Sequence, residues 1–177
     1  MKCGAVILAA GQGSRFHGKK QFFEFMGKPL WRHVYDKAKR VMQDDENIAV
    51  VGVEIEGGET RSESVQNGLH ALKRDTQRVI ILEAARPLVT EEQIRLLLTS
   101  EAPSQSFVMP LVDTVIMRDG TYLDRDKMYD LLTPQAFDYQ KLLAAYETGR
   151  YENMTDETRV MYEEYGIQPL LTETSDN

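Results

Sequence analysis

Two hydrophobic periods alternate along this chain. Short apolar runs without a charged residue stand at 4–10 (Gly4-Ala5-Val6-Ile7-Leu8-Ala9-Ala10), 48–53, 79–82 and 107–110. Runs of this length, rich in Val, Ile and Leu, predict strands buried on both faces of a sheet. Between them the spacing changes to that of helices. Leu30, Val34, Ala38 and Val41 follow Pro29, which suits a first helical turn. Val65, Leu69 and Leu72 follow hydroxyls at 60, 62 and 64 that can cap a helix start. Ile94, Leu97 and Leu98 follow the capping box Thr90-Glu91-Glu92-Gln93. A helix is predicted over about 138–149. Another is opened by Thr155-Asp156-Glu157 and stops near Gly166, and an edge strand follows at 167–171. Strands alternating with helices predict an α/β domain of three layers around a mainly parallel sheet.

One stretch breaks the pattern. Asp119-Gly120 sits between β-type runs in the segment from Asp113 to Arg125, a strong hairpin signal. A two-stranded ribbon leaving the sheet is marginal in water, so it is expected to lie on another surface.

The 177 residues are expected to form one domain, 1–177. A net charge of −7 argues against general nucleic-acid binding. The single cysteine, Cys3, has no partner within the chain and suits a reducing, cytoplasmic setting. No apolar run approaches membrane-spanning length, and the first run breaks at glycines into a polar loop, unlike a signal peptide. His17, His33 and His70 are scattered and give no metal-ligand spacing.

The candidate chemistry starts where the first strand ends. Ala9-Ala10-Gly11-Gln12-Gly13-Ser14-Arg15-Phe16-His17-Gly18-Lys19-Lys20-Gln21 carries three glycines and three cations, and no acidic residue precedes Glu24. Glycine lets a backbone approach a ligand and aim its N–H groups at it. In an acidic protein, a cationic loop free of carboxylates points to a polyanionic ligand. It is not a P-loop, because Lys19-Lys20-Gln21 lacks the Ser or Thr after lysine. Nor is it a dinucleotide fingerprint, since Phe16 stands where a small residue is needed.

The thirteen residues resemble the Ala-Ala-Gly-x-Gly-x-Arg…Lys-Gln signature of the sugar-alcohol-phosphate cytidylyltransferases. The methylerythritol phosphate and ribitol 5-phosphate enzymes belong to that group. Further stretches carry the same resemblance. Gly57-Gly58-Glu59-Thr60-Arg61-Ser62-Glu63-Ser64 is similar to the family's nucleobase segment, Glu83-Ala84-Ala85-Arg86-Pro87 to its Asp-Ala-Ala-Arg-Pro, and Thr133-Pro134-Gln135-Ala136-Phe137 to its Thr-Pro-Gln-x-Phe.

The resemblance implies a Rossmann-like nucleotidyltransferase fold with a protruding β-arm at about 113–132. It implies catalytic roles for Arg15 and Lys20, and nucleotide binding by Ala9, Ala10, Gly11, Gly13, Gly58, Glu59, Arg61 and Ser64. It also implies substrate binding by Glu83, Asp113, Thr114, Arg125 and Thr155. Magnesium is the implied cofactor, with Glu83 as its protein ligand, where the family usually has aspartate. The implied partners are CTP and a polyol phosphate. A homodimer is implied through the arm, which is shorter here than usual. Nothing in the sequence to Ser175-Asp176-Asn177 corresponds to the family's closing Ile-Lys-x-Thr-x-Pro segment, so either the gene product is longer than this chain or the protein works without that segment.

The implied reaction joins CTP to 2-C-methyl-D-erythritol 4-phosphate and releases pyrophosphate. The nucleophile is already an anion, so the site has to supply alignment and positive charge rather than a base. Two other readings stand beside it. One is a relative acting on ribitol 5-phosphate or another polyol phosphate. The other is an inactive nucleotide-binding homologue.

Overall fold

The computed structural model describes residues 1–11, 19–43 and 45–175. Its main sheet is built from β1 (Cys3–Leu8), β4 (Ile48–Val51), β5 (Arg78–Glu83), β6 (Ser104–Pro110), β7 (Tyr129–Asp138) and β8 (Leu170–Glu173). These six strands lie in the order β4-β1-β5-β7-β6-β8. A separate two-stranded ribbon pairs β2 (Glu24–Phe25) with β3 (Lys28–Pro29). The helices are α1 (Leu30–Met42), α2 (Arg61–Ala71), α3 (Glu91–Thr99), α4 (Tyr139–Glu147) and α5 (Glu157–Tyr165). β1 runs parallel to β4 and β5, and β6 runs parallel to β8. β7 is antiparallel to both β5 and β6.

The uncharged runs expected to be buried on both faces have helices on both sides, although β4 is an edge strand, and the period of two decides which residue meets which layer. Ala5, Ile7, Ile80 and Leu82 pack with Val34, Ala38, Ile94 and Leu97, the buried faces of α1 and α3. Val6, Leu8, Val79 and Ile81 pack with Val65, Leu69, Leu142 and Met161 of α2, α4 and α5. Each Val, Leu, Ile or Met among them contributes about 1.5–3 kcal/mol when fully buried. The same alternation assigns Glu83, two residues after Ile81, to the α2 and α5 side.

Several boundaries differ from the sequence reading. β1 ends at Leu8, so Ala9 and Ala10 form the loop entrance rather than the strand. β6 starts at Ser104, three residues before its apolar run, because Ser104, Gln105 and Ser106 are buried polar residues of a central strand. β8 begins at Leu170 rather than 167. Thr133-Pro134-Gln135 lies inside β7, between two partner strands. Proline is tolerated there because the β6–β7 register shifts at this point: Ser106 faces Gln135 and Phe107 faces Leu132, leaving Thr133 and Pro134 as extra residues.

The predicted hairpin is present. Ile116 and Tyr122 bridge, Leu123 N–H donates to the Val115 carbonyl at 3.0 Å, and Gly120 turns the chain with φ +92. Asp119 accepts the Thr121 N–H at 2.9 Å and braces the turn. The ribbon leaves Val112, Ile116, Met117 and Tyr122 exposed. No helix among the described residues is long and apolar enough to cross a membrane.

Candidate nucleotide and phosphate site

The site lies at the carboxyl ends of β1 and β5, where open α/β sheets gather their ligands. β1 delivers Ala9, whose N–H donates to the Val51 carbonyl at 2.7 Å. Gln21 closes the loop from the far side: its buried amide donates to the Ala9 carbonyl at 2.6 Å and to the Gly11 carbonyl at 2.9 Å. Gln21 thus fixes both sides of the loop entrance. The sequence reading included it in the signature and gave it no role. Arg15 and Gly13, assigned from the resemblance, lie outside the described residues.

The second wall is the turn into α2. Thr60 caps the helix by accepting the Glu63 N–H at 3.1 Å, and the Glu63 carboxylate reaches back to the N–H of Glu59 at 2.6 Å. Ser64 hydroxyl accepts the Gly58 N–H at 3.0 Å and donates to the Thr60 carbonyl at 3.1 Å. Glycine is required twice. A Cβ on Gly57 would stand 2.4 Å from the Ala10 Cβ, and one on Gly58 would stand 2.1 Å from the Glu63 Cβ. The missing side chain of Gly57 lets this turn close on the loop entrance at Ala10, and that of Gly58 lets the turn fold back onto its own capping residue Glu63.

Ala9, Ala10, Gly11, Gly58, Glu59, Arg61, Ser64 and Glu83 line one cavity of about 400 Å³. A neighbouring cavity of about 340 Å³ is lined by Lys20, Arg61, Glu83, Arg86, Gln135, Thr155 and Asp156. Arg61, Glu83 and Ala85 are common to both. The structure therefore brings every described nucleotide candidate into one cavity, and Lys20, Glu83 and Thr155 into the next. Asp113, Thr114 and Arg125 line neither of these cavities. They lie on the exposed arm, where the Arg125 guanidinium donates to the Val112 carbonyl and ties the arm's two limbs together.

The shared wall is electrostatic. The Arg61 guanidinium donates to Glu157 at 2.6 Å and to Glu83 at 3.3 Å. Glu157 is fully buried and also accepts the Tyr146 hydroxyl at 2.9 Å. Burial pulls the Arg61 pKa down, and Glu157 and then Glu83 more than reverse this, so Arg61 is raised and stays charged. Burial pushes the Glu83 carboxyl up, opposed by Arg61 and reinforced by nearby Glu157. Tyr146 is raised by burial and then by Glu157, which keeps it a phenol that donates. One Glu157 oxygen and one Gln135 oxygen remain buried without a hydrogen-bond partner. Gln135 donates to Asp156 at 2.7 Å, and Asp156 caps α5 by accepting the Thr158 N–H at 2.8 Å.

Thr155-Asp156-Glu157 reads from sequence as a cap or, by resemblance, as part of the phosphosugar site; Asp156 is the cap, and Thr155 and Asp156 line the second cavity. The sequence reading missed Glu157 as the buried anion of the site, and it assigned no chemistry to Gln135. His33, one of the scattered histidines, is half-buried, and its Nε2 pairs with the Phe25 carbonyl at 2.7 Å. Among the described residues no group of three or more His, Cys, Asp or Glu could hold a metal ion. Magnesium does not need one. It is commonly held by one or two carboxylates together with substrate phosphates. Glu83, on the wall of both cavities, is a carboxylate of that kind.

A glycine-turn cavity beside one lined by Lys20, Arg61 and Arg86, at the strand ends of a three-layer α/β sheet, is suited to a phosphate-bearing ligand. Comparison with known proteins makes this specific. The family model for 2-C-methyl-D-erythritol 4-phosphate cytidylyltransferase matches residues 3–177. The enzyme of that name from Haemophilus influenzae (strain Rd) is 32% identical over 199 aligned residues, covering 98% of this chain and 88% of the relative. The one from Halalkalibacterium halodurans is 32% identical, covering 91% and 83%. In fold, the chain is similar to 4-diphosphocytidyl-2C-methyl-D-erythritol synthase from Anaerococcus prevotii, with TM-score 0.79, 24% identity and coverage of 97% and 86%. It is likewise similar to the cytidylyltransferase of Thermus thermophilus, with TM-score 0.77, 22% identity and coverage of 99% and 90%. The chain belongs to the 2-C-methyl-D-erythritol 4-phosphate cytidylyltransferase family.

Proposed function

We propose that this protein transfers the cytidylyl group of CTP to 2-C-methyl-D-erythritol 4-phosphate in isoprenoid precursor synthesis. An oxygen of the polyol phosphate forms a bond to the α-phosphorus of CTP. The bond from that phosphorus to the bridging oxygen breaks, and its electrons leave with pyrophosphate. The observation that carries the reading is the pair of cavities divided by Arg61 and Glu83, on the scaffold of this family. The cavity of Gly58 and Ser64 takes the nucleotide, and fixed backbone groups there can tell the amine of cytosine from the carbonyl of uracil. The cavity of Lys20 and Thr155 takes the phosphates of the reacting centre.

Lys20, and Arg15 by resemblance, supply positive charge where it builds in the five-coordinate transition state. Glu83 would hold magnesium together with the nucleotide phosphates, and the ion would neutralise phosphate charge there. Asp113, Thr114 and Arg125 serve the site from the arm of a second copy in a homodimer, in the cytoplasm.

The test is pyrophosphate release measured with CTP, UTP, ATP and GTP against methylerythritol phosphate, ribitol 5-phosphate and other polyol phosphates. Turnover is expected with CTP and methylerythritol 4-phosphate. Preference for ribitol 5-phosphate, equal use of UTP in competition, or no release with any pair would contradict the proposal.

A further inference from the structure

The first turn of α2 is fastened to the segment that carries Thr155 by three consecutive side chains. Thr60 hydroxyl donates to the Glu152 carbonyl at 2.9 Å, Arg61 donates to Glu157 at 2.6 Å, and Ser62 hydroxyl donates to the Met154 carbonyl at 2.7 Å. A turn further along α2, the Gln66 amide donates to the Tyr146 carbonyl at 3.0 Å, and Tyr146 in turn donates to Glu157. On the other side of the segment, Asp156 is held by Gln135. Thr155 itself is exposed into the cavity shared with Lys20, while Met154, Asp156 and Glu157 around it are all tied down. The Arg61 guanidinium is meanwhile taken up by two carboxylates.

We infer that Arg61, assisted by Ser62, is a positioning residue for the polyol-phosphate side of the site. It acts through Glu157 to hold the 152–157 segment, rather than by recognising the nucleotide. Its place beside the nucleotide turn then reflects where α2 starts, and its work is done on the facing segment. The inference rests on the proposed cytidylyl transfer for its substrate assignment. The fastening itself does not depend on that reaction.

The test uses Arg61→Met, Arg61→Lys, Ser62→Ala and the double variant Arg61→Met/Glu157→Gln. The double variant removes Arg61 together with its fully buried partner, so that Glu157 is not left unpaired if Arg61→Met alone fails to fold; Glu83, which opens onto both cavities, still loses Arg61 in each Met variant. The KM for methylerythritol 4-phosphate is expected to rise by about tenfold in the double variant, the equivalent of one hydrogen bond to a charged group. The KM for CTP should stay within about twofold, and Arg61→Lys should recover part of the loss. Hydrogen exchange of the folded double variant, without substrates, should be faster at the amides of 152–158 and unchanged in β1 and β5. A rise confined to the KM for CTP, an equal rise in both constants, no rise in either, or unaltered exchange at 152–158 overturns the inference. If the parent protein releases no pyrophosphate, the functional reading fails by itself, and the exchange measurement still decides whether Arg61 holds the segment.

Discussion

Two regions of this molecule carry candidate site residues and are built in opposite ways. The pocket around Arg61 is laced. Its first wall is fixed by Gln21, its second by the Thr60–Glu63 capping box, and its floor by Arg61, Glu83, Glu157 and Tyr146. The arm is held by a few backbone bonds, the Asp119 turn and Arg125, and it leaves Val112, Ile116, Met117 and Tyr122 exposed while Val115 and Leu123 are half-buried. Tyr122 and Val112 are each 73% exposed, whereas Glu157, a carboxylate, is 0% exposed. A chain that buries a charge and exposes aromatic and aliphatic groups has placed each for a reason other than its own solvation. The pocket is organised in advance for charge within one copy. In the proposed homodimer the arm would find its surface on the second copy.

The difference gives a graded set of expectations. The largest effect should come from breaking the pocket's charge balance. Arg61→Met leaves Glu157 buried and unpaired, and should destabilise the fold by about 3–5 kcal/mol in urea titrations. Adding Glu157→Gln should recover most of that. A loss of less than about 1 kcal/mol in Arg61→Met would mean that Glu157 gains water or a proton at little cost.

Next comes Lys20→Ala, expected to lower turnover a hundred- to a thousandfold, about 3–4 kcal/mol, with little change in folding because Lys20 is exposed. Normal turnover with weaker CTP binding would make Lys20 a binding residue only.

A smaller effect is expected at Glu83. Glu83→Gln should raise the magnesium concentration needed for half-maximal rate and weaken manganese binding, read by paramagnetic relaxation, in the folded protein with a non-reacting CTP analogue. Glu83→Asp should keep metal binding and activity. Metal titrations like the parent's in both variants would remove Glu83 as a ligand.

The smallest effect on the single chain should come from the arm. Ile116→Ser with Tyr122→Ser should change the stability of the folded chain within about 0.5 kcal/mol, because neither side chain is buried. The same pair should weaken self-association in sedimentation velocity. A loss of several kcal/mol in urea without a change in association would show that the arm serves its own chain.

The same two regions separate what was legible in the sequence from what was not. The arm's turn is spelled by two adjacent residues, Asp119-Gly120, and the structure has it. The pocket's rims are local as well: Ala9-Ala10-Gly11, the Thr60–Glu63 box and the strand end at Glu83 each follow from short-range pattern. Its floor is not local. Arg61 and Glu157 are 96 positions apart, and the sequence around Glu157 satisfies a simple helix cap, which hides the fact that the next side chain is buried. Gln135 was hidden in the same way, within a proline motif whose strand has a two-residue irregularity in a central ladder. Hydrophobic period locates strands and helices. It is silent on polar side chains that pair across the fold, and those pairs build the wall between the two cavities.

In the proposed homodimer each active site joins one copy's laced pocket to the other copy's arm. The most direct measurement mixes two inactive variants, Arg125→Ala and Lys20→Ala, after labelled subunits have been shown to exchange. In a mixed dimer, the pocket of the Arg125→Ala chain keeps Lys20 and receives an intact arm, so one of its two sites is whole. After full exchange of equal amounts, pyrophosphate release should return to about a quarter of the parent rate, since half the dimers are mixed and each carries one whole site. No recovery despite exchange, or full activity in a protein that sediments as a monomer, would contradict the shared site.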